Sequence, residues 1–176
     1  MGMHRSASKH GITVLELAVV IVIIGIIASM LIPVVAKFQA RADETKCRQN
    51  LRNLFIAAAG YVHDSGSWPQ IPNTLIGKDD KTYAKMWVSA LAPYGVQHES
   101  WICPMIQRST GLPISSIKED EHYRIDYVGV AFDDKPSSPY PESAFPWFVE
   151  RAGFHGRGNL IILSNGTTTA LMDMVH

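Results

Sequence analysis

Cysteine is scarce in this chain of 176 residues, net charge is absent, and no repeat or low-complexity tract appears. The two cysteines, Cys47 and Cys103, are too few for a disulfide framework and do not have the spacing of a zinc site. They can form one bridge if they lie outside the cytoplasm, or stand as two buried thiols at unrelated places. Sixteen basic and sixteen acidic side chains cancel, which argues against a nucleic-acid binder held by bulk electrostatics. A catalytic signature is also missing, because no nucleophile–base pair stands at a recognisable spacing. His122, Asp126, Glu150 and His155 are scattered over expected loop and strand without an HExxH-type interval. They read as surface histidines and solvated carboxylates rather than as a metal or acid–base site. The pairs Asp79-Asp80 and Asp133-Asp134 read as turn residues, and His155-Gly-Arg-Gly158 follows no phosphate-loop pattern. Calcium takes about 6–8 oxygen ligands, and no acidic cluster supplies them. The expectation is a non-enzyme with no metal and no cofactor.

What the chain does have is asymmetry. Met1–Gly11 is short, polar and basic, and Ile12–Ile32 (ITVLELAVVIVIIGIIASMLI) is almost wholly apolar. About 20 residues of helix at ~1.5 Å rise cover the ~30 Å hydrocarbon core, so this run can span a bilayer. Its β-branched content would suit a strand in water, but in lipid a lone strand leaves its backbone groups unpaired, and helix is favoured. One residue, Glu16, breaks the run. A carboxylate in such a segment is costly and calls for a partner. If the chain is cut after Gly11, Ile12 carries a free amine and Glu16 lies in the first helical turn, where the helix dipole favours negative charge.

This constellation resembles the prepilin cleavage and methylation motif of the type IV pilin family: Gly11-Ile-Thr-Val-Leu-Glu16 followed by a long apolar run, with Gly25 and Pro33 where many pilins loosen the helix. The resemblance implies that a membrane prepilin peptidase cuts after Gly11 and methylates Ile12. It implies that Glu16 then pairs with the terminal amine of a neighbouring subunit as a filament grows. The partners it implies are the peptidase, other pilin or pseudopilin subunits, an inner-membrane assembly platform and the membrane itself, with no nucleic acid. It also places the head in the periplasm, first on a single-pass inner-membrane anchor and then in a filament. The chain most resembles the type II secretion pseudopilins. A type IV pilus or DNA-uptake pilin is the alternative, as is a tethered binding domain that never polymerises. The positive-inside count disagrees with this topology, because Lys37, Arg41, Lys46 and Arg48 after the run outnumber Arg5 and Lys9 before it. An ordinary secretory signal cut after Ala36, or an uncut anchor, would leave Glu16 without a purpose.

Beyond Pro33 the pattern turns amphipathic. Cys47, Leu51, Leu54, Ala58 and Tyr61 recur at helical intervals, Phe55 and Val62 widen the stripe, and Lys46, Arg48, Asn50 and Asn53 mark the opposite side. Glu44 can reach Arg48 one turn on. Asp64-Ser-Gly66 supplies the stop, and Pro33 predicts a bend or melted turn near Ser29–Pro33. The head then reads as a helix over 81–91 with Tyr83, Met86, Trp87, Ala90 and Leu91 on one face. A short strand or entry to the sheet is expected over 100–104, a central strand over 122–132, and a proline-rich loop over 133–146. A hairpin closes the chain through Ser164-Asn165-Gly166. The expected fold is α+β: a long N-terminal helix, with a transmembrane half and an amphipathic half, packed on a small antiparallel β-sheet head as in pilins. Its parts are a leader over 1–11, an assembly helix over 12–33, an amphipathic continuation over 34–63 and a globular head over 64–176.

Overall fold

Apolar residues that first cover the whole helix surface and then narrow to one stripe produce a single 52-residue helix, α1, Val14–Ser65. It is the first element of the computed structural model, which describes residues 13–117, 122–131, 145–153, 155–156 and 158–174. The chain divides into two compact units, Met1–Gln39 and Ala40–His176. In the first, every described side chain is exposed. The melted turn expected near Ser29–Pro33 is not there, and α1 passes through both Gly25 and Pro33. Proline removes one hydrogen bond, whereas opening a turn would free several backbone groups, each costly in hydrocarbon. Ser29 Oγ donates to the Ile26 carbonyl (2.7 Å) in the turn before the proline.

In the second unit the stripe does what its spacing predicts. Cys47, Leu51, Leu54, Ala57, Ala58 and Val62 are buried, with Phe55 and Tyr61 packed beside them. Asn50 is the exception to the expected polar side: it is buried, and its Nδ2 donates to the Ile102 carbonyl (2.9 Å). Glu44 and Arg48 pair at 2.8 Å, and Arg48 Nη1 also donates to the Thr168 carbonyl (3.1 Å). Gly66, at φ 70°, ends the helix by donating to the Val62 carbonyl (2.9 Å).

A second helix, α2, covers Asp80–Leu91, its first turn capped by Asp79, which accepts from Thr82 N (3.0 Å). Asp80 accepts from Arg151 Nη2 (2.8 Å), and this hydrogen bond holds its carboxyl below the usual range. The α2 core face is Tyr83, Ala84, Trp87 and Leu91, so Ala84 takes the place expected of Met86, which is exposed. The strand expected over 100–104 is also absent. His98–Trp101 forms a 3-10 turn, and Pro104 opens α3, Pro104–Thr110. Proline suits the first helical position because its missing N–H would be unpaired there in any case. The single turn α4 covers Ile114–Ile117.

Four strands form one antiparallel sheet in chain order: β1 Tyr127–Gly129, β2 Pro146–Glu150, β3 Leu160–Leu163 and β4 Thr168–Ala170. The segment expected as the central strand supplies only β1, at the edge, because His122–Asp126 is spent on turns and side-chain contacts. Pro146 lies in β2 rather than in a loop, at the first strand position, where proline is tolerated. Most of the expected proline-rich loop, with Asp133 and Asp134, lies outside the described residues. The register shifts between Pro146 and Phe148, and this bulge allows the adjacent Trp147 and Phe148 both to be fully buried. The β3–β4 hairpin turns at Ser164-Asn165-Gly166 as its sequence predicts, with Gly166 at φ 79°.

All four tryptophans, Trp68, Trp87, Trp101 and Trp147, are buried together around Phe148. Ring centroids are 4.8 Å apart for Trp68–Trp147 and 5.4 Å for Trp87–Phe148. Phe55 of α1 closes on Trp147 at 4.9 Å. Two polar ends are satisfied at the β1 edge: Trp68 Nε1 donates to the Val130 carbonyl (2.9 Å) and Tyr83 Oη to the Gly129 carbonyl (3.1 Å). A Cβ added to Gly129 would stand inside the Trp87 indole. A disulfide joins Cys47 of α1 to Cys103, with their Cα atoms 5.4 Å apart.

Two outcomes follow for the detergent-solubilised chain. Gly129→Ala forces overpacking against a ring with no room to move, costing about 1–3 kcal/mol, and thermal unfolding should shift down accordingly. The disulfide closes a sequence separation of 56 residues. Chain entropy for such a loop is worth about 4 kcal/mol. Denaturant unfolding of the Cys47→Ala, Cys103→Ala double variant should show a loss of that order.

Candidate functional site

The first candidate is the N-terminal turn of α1. Gly11 and Ile12, the expected cleavage and methylation residues, lie outside the described residues. Glu16 does not stand alone. Its Oε2 accepts from Thr13 N (2.8 Å) and from Thr13 Oγ1 (2.9 Å), while Thr13 Oγ1 accepts from Glu16 N (3.2 Å). This is a capping box, in which a threonine and a glutamate three residues later satisfy each other's backbone N–H groups. The Thr13-x-x-Glu16 spacing carries that signal in the sequence, beside the charge of Glu16. The carboxylate therefore has two roles open to it. It closes the helix start, which the dipole favours. It also stays exposed at the rim of an apolar helix, where a cationic partner can reach it.

The surface behind it is apolar on all sides. Val14, Leu15, Leu17, Val20, Ile24 and Met30 are each at least half exposed. Burying a side chain of this size is worth about 1.5–3 kcal/mol. A helix that leaves so many in water is stable only in lipid or against other apolar helices. Among the described residues, one helix is long and apolar enough to cross a membrane. Gly25 sits in this segment with no atom within 4 Å of where its Cβ would be.

The second candidate is inside the head, where no local motif marks it. Glu150, at the end of β2, and His155, in the turn after it, come together with the Cys47–Cys103 disulfide. His155 Nε2 lies 3.0 Å from Glu150 Oε1 and 3.8 Å from Cys103 Sγ. Glu150 Oε2 accepts from Leu160 N (3.2 Å), and the Glu150 carbonyl accepts from Asn159 Nδ2 (2.7 Å). The expectation of solvated groups fails here, since the side chains of Glu150 and His155 are 0% and 1% exposed. Asp126 is also buried, with Oδ2 accepting from Cys103 N (2.9 Å) and Oδ1 3.1 Å from Arg124 Nε. Burial pushes both carboxyls up from their ordinary values, against the pull of His155 on Glu150 and of Arg124 on Asp126. Of the four residues considered from sequence, only His122 is exposed. Chain folding, not spacing, brings the others together, and a five-residue interval across a turn carries no recognisable motif.

No family model and no solved structure matches the chain. A type IV major pilin, PilA of Myxococcus xanthus (strain DK1622), is 34% identical over 67 residues, which is 38% of this chain. This chain spans 30% of the length of that curated relative. The likeness agrees with the architecture described above, a long apolar N-terminal helix and a four-stranded antiparallel sheet. Over those 67 residues the chain is similar to a type IV major pilin, and its long apolar N-terminal helix and antiparallel sheet fit a pilin-like protein.

Proposed function

We propose that the chain is a structural subunit of a type II secretion pseudopilus, working by assembly and not by catalysis. The observation that carries this reading is an apolar helix surface without a buried side chain, bearing a single carboxylate, Glu16, in its first turn. In this reading prepilin peptidase cuts after Gly11 and methylates Ile12, and α1 anchors the subunit in the inner membrane with its head in the periplasm. An assembly platform then draws subunits together, and the apolar helices exchange lipid for one another. Both hydrogen bonds to Glu16 among the described residues fall on Oε2. The carboxylate can thus keep its cap while Oε1 accepts from the terminal amine of a neighbour. Within a bundle of helices an unpaired carboxylate is costly, so the pairing would set the axial register.

The likeness to a type IV major pilin supports a second reading, a subunit of a type IV pilus. Labelling of the protein in a surface fibre would favour that reading, and labelling confined to the periplasm favours the secretion filament.

Two measurements test the common core of both. Mass spectrometry of the terminal peptide from native membranes should find N-methylated Ile12; an intact Met1 terminus would remove the amine that Glu16 is expected to meet. Glu16→Gln should still be processed but assemble poorly. Leaving one member of a buried pair unmatched costs about 3–5 kcal/mol, so filament incorporation should fall more than a hundredfold, read by shearing and immunoblot. Normal incorporation would remove Glu16 from assembly.

A further inference from the structure

A disulfide in an apolar core needs no polar company, yet this one has a carboxylate and an imidazole against it. Burying such groups is expensive unless they bind something or each other. Cys47 Sγ, Cys103 Sγ, one Glu150 oxygen and one His155 nitrogen all lie within 4.8 Å of one another. They arrive from α1, from the segment before α3, from the end of β2 and from the turn that follows it.

We propose that Cys47, Cys103, Glu150 and His155 bind one zinc ion when the two cysteines are thiols, so that disulfide and zinc are alternative occupants of one core position. Two sulfurs, one imidazole nitrogen and one carboxylate oxygen make a donor set that suits zinc, whose bonds to them run about 2.0–2.3 Å in a tetrahedron. Ligands around such an ion stand roughly 3.3–3.8 Å apart, inside the 4.8 Å that already encloses all four donor atoms. Outer contacts hold two of the four residues: Leu160 N on Glu150 Oε2, Asn159 Nδ2 on the Glu150 backbone carbonyl, and Asp126 Oδ2 on Cys103 N, while His155 Nδ1 is buried without a hydrogen-bond partner among the described residues. Partners of this kind orient metal ligands.

The two states balance differently. Zinc displaces the two thiol protons to solvent and forms two Zn–S bonds with no change of oxidation state. Disulfide formation instead removes two electrons and two protons, which a thiol–disulfide oxidase or another dithiol oxidant must accept. Once the S–S bond exists, neither sulfur is a thiolate, and the remaining carboxylate and imidazole are a poor site by themselves. Metal loading of the head would therefore record whether its cysteines have been oxidised.

The test uses the full chain in detergent, reduced with a phosphine, exposed to zinc and freed of excess. Elemental analysis should find about one zinc per chain in the reduced protein and almost none in the disulfide form. Cobalt in place of zinc should show thiolate-to-metal charge transfer in the near ultraviolet and the strong visible bands of a tetrahedral ion. His155→Ala and Glu150→Gln should each weaken zinc binding by more than the roughly 10–100-fold that loss of an outer partner of a ligand costs, with near-ultraviolet circular dichroism reporting whether the fold persists. If the reduced chain loses its fold, recovery on adding zinc supports the site and failure to recover overturns it. A folded, reduced chain without zinc would also overturn the proposal, as would equal affinity in the two variants and the parent.

Discussion

The head depends on one seam, the face of α1 from Cys47 to Val62 buried against the aromatic cluster and the sheet. The stripe is apolar at helical intervals, so it must be covered. The cover is built from four tryptophans, Phe148 and the inner residues of the strands. Apolar packing alone does not set position along the helix. Two directional contacts do so at the segment 102–103, the disulfide to Cys47 and the Asn50 amide on the Ile102 carbonyl, while the Asp126 carboxylate on Cys103 N ties the same segment to the residue before β1. Just before that segment, the Trp101 carbonyl accepts from Asp126 N (2.8 Å). Helix, connecting segment and first strand are thereby tied at one place.

Other features of the head follow from that tie. A sheet only three to five residues wide along each strand cannot stack many cross-strand pairs, so bulky rings fill the space. The β2 bulge turns two consecutive rings inward, and Gly129 leaves the room that Trp87 occupies. Two polar groups caught in the cluster, Trp68 Nε1 and Tyr83 Oη, are satisfied where the sheet ends, at the Val130 and Gly129 carbonyls, whereas Trp87 Nε1 and Trp101 Nε1 are buried without a hydrogen-bond partner among the described residues. Beside the seam, the carboxylates of Asp126 and Glu150 are tolerated in a dry place because each has a cationic or potentially cationic neighbour and a backbone donor.

The N-terminal unit obeys a different rule. Among the described residues nothing covers its side chains, leaving a surface that lipid or like helices would stabilise rather than a core. That is why Pro33 is carried within a helix and not at a break. A single missing hydrogen bond is a smaller loss than a stretch of open backbone in an apolar medium. Glu16 is accommodated by the same logic, since the capping box with Thr13 satisfies its charge at the one point of the helix where N–H groups are free.

Local, periodic signals made α1, its buried stripe, the Glu44–Arg48 pair, α2 and the closing hairpin legible from the residues alone. Each is decided by neighbours within four or five positions, through helical spacing, capping or turn geometry. What spacing could not decide was which side chains meet across long intervals. Asn50 reads as polar surface until the Ile102 carbonyl, 52 residues away, stands opposite it. Segment 100–104 reads as a strand until Pro104 starts a helix, and 122–132 reads as a sheet centre although only Tyr127–Gly129 pairs, at the edge. Glu150 and His155 read as solvated until the end of β2 and its turn place them on the disulfide. Sequence determined the helix and its two apolar surfaces because those depend on local period. Only the tertiary structure decided the buried polar cluster, because its members are joined by chain folding and share no local pattern.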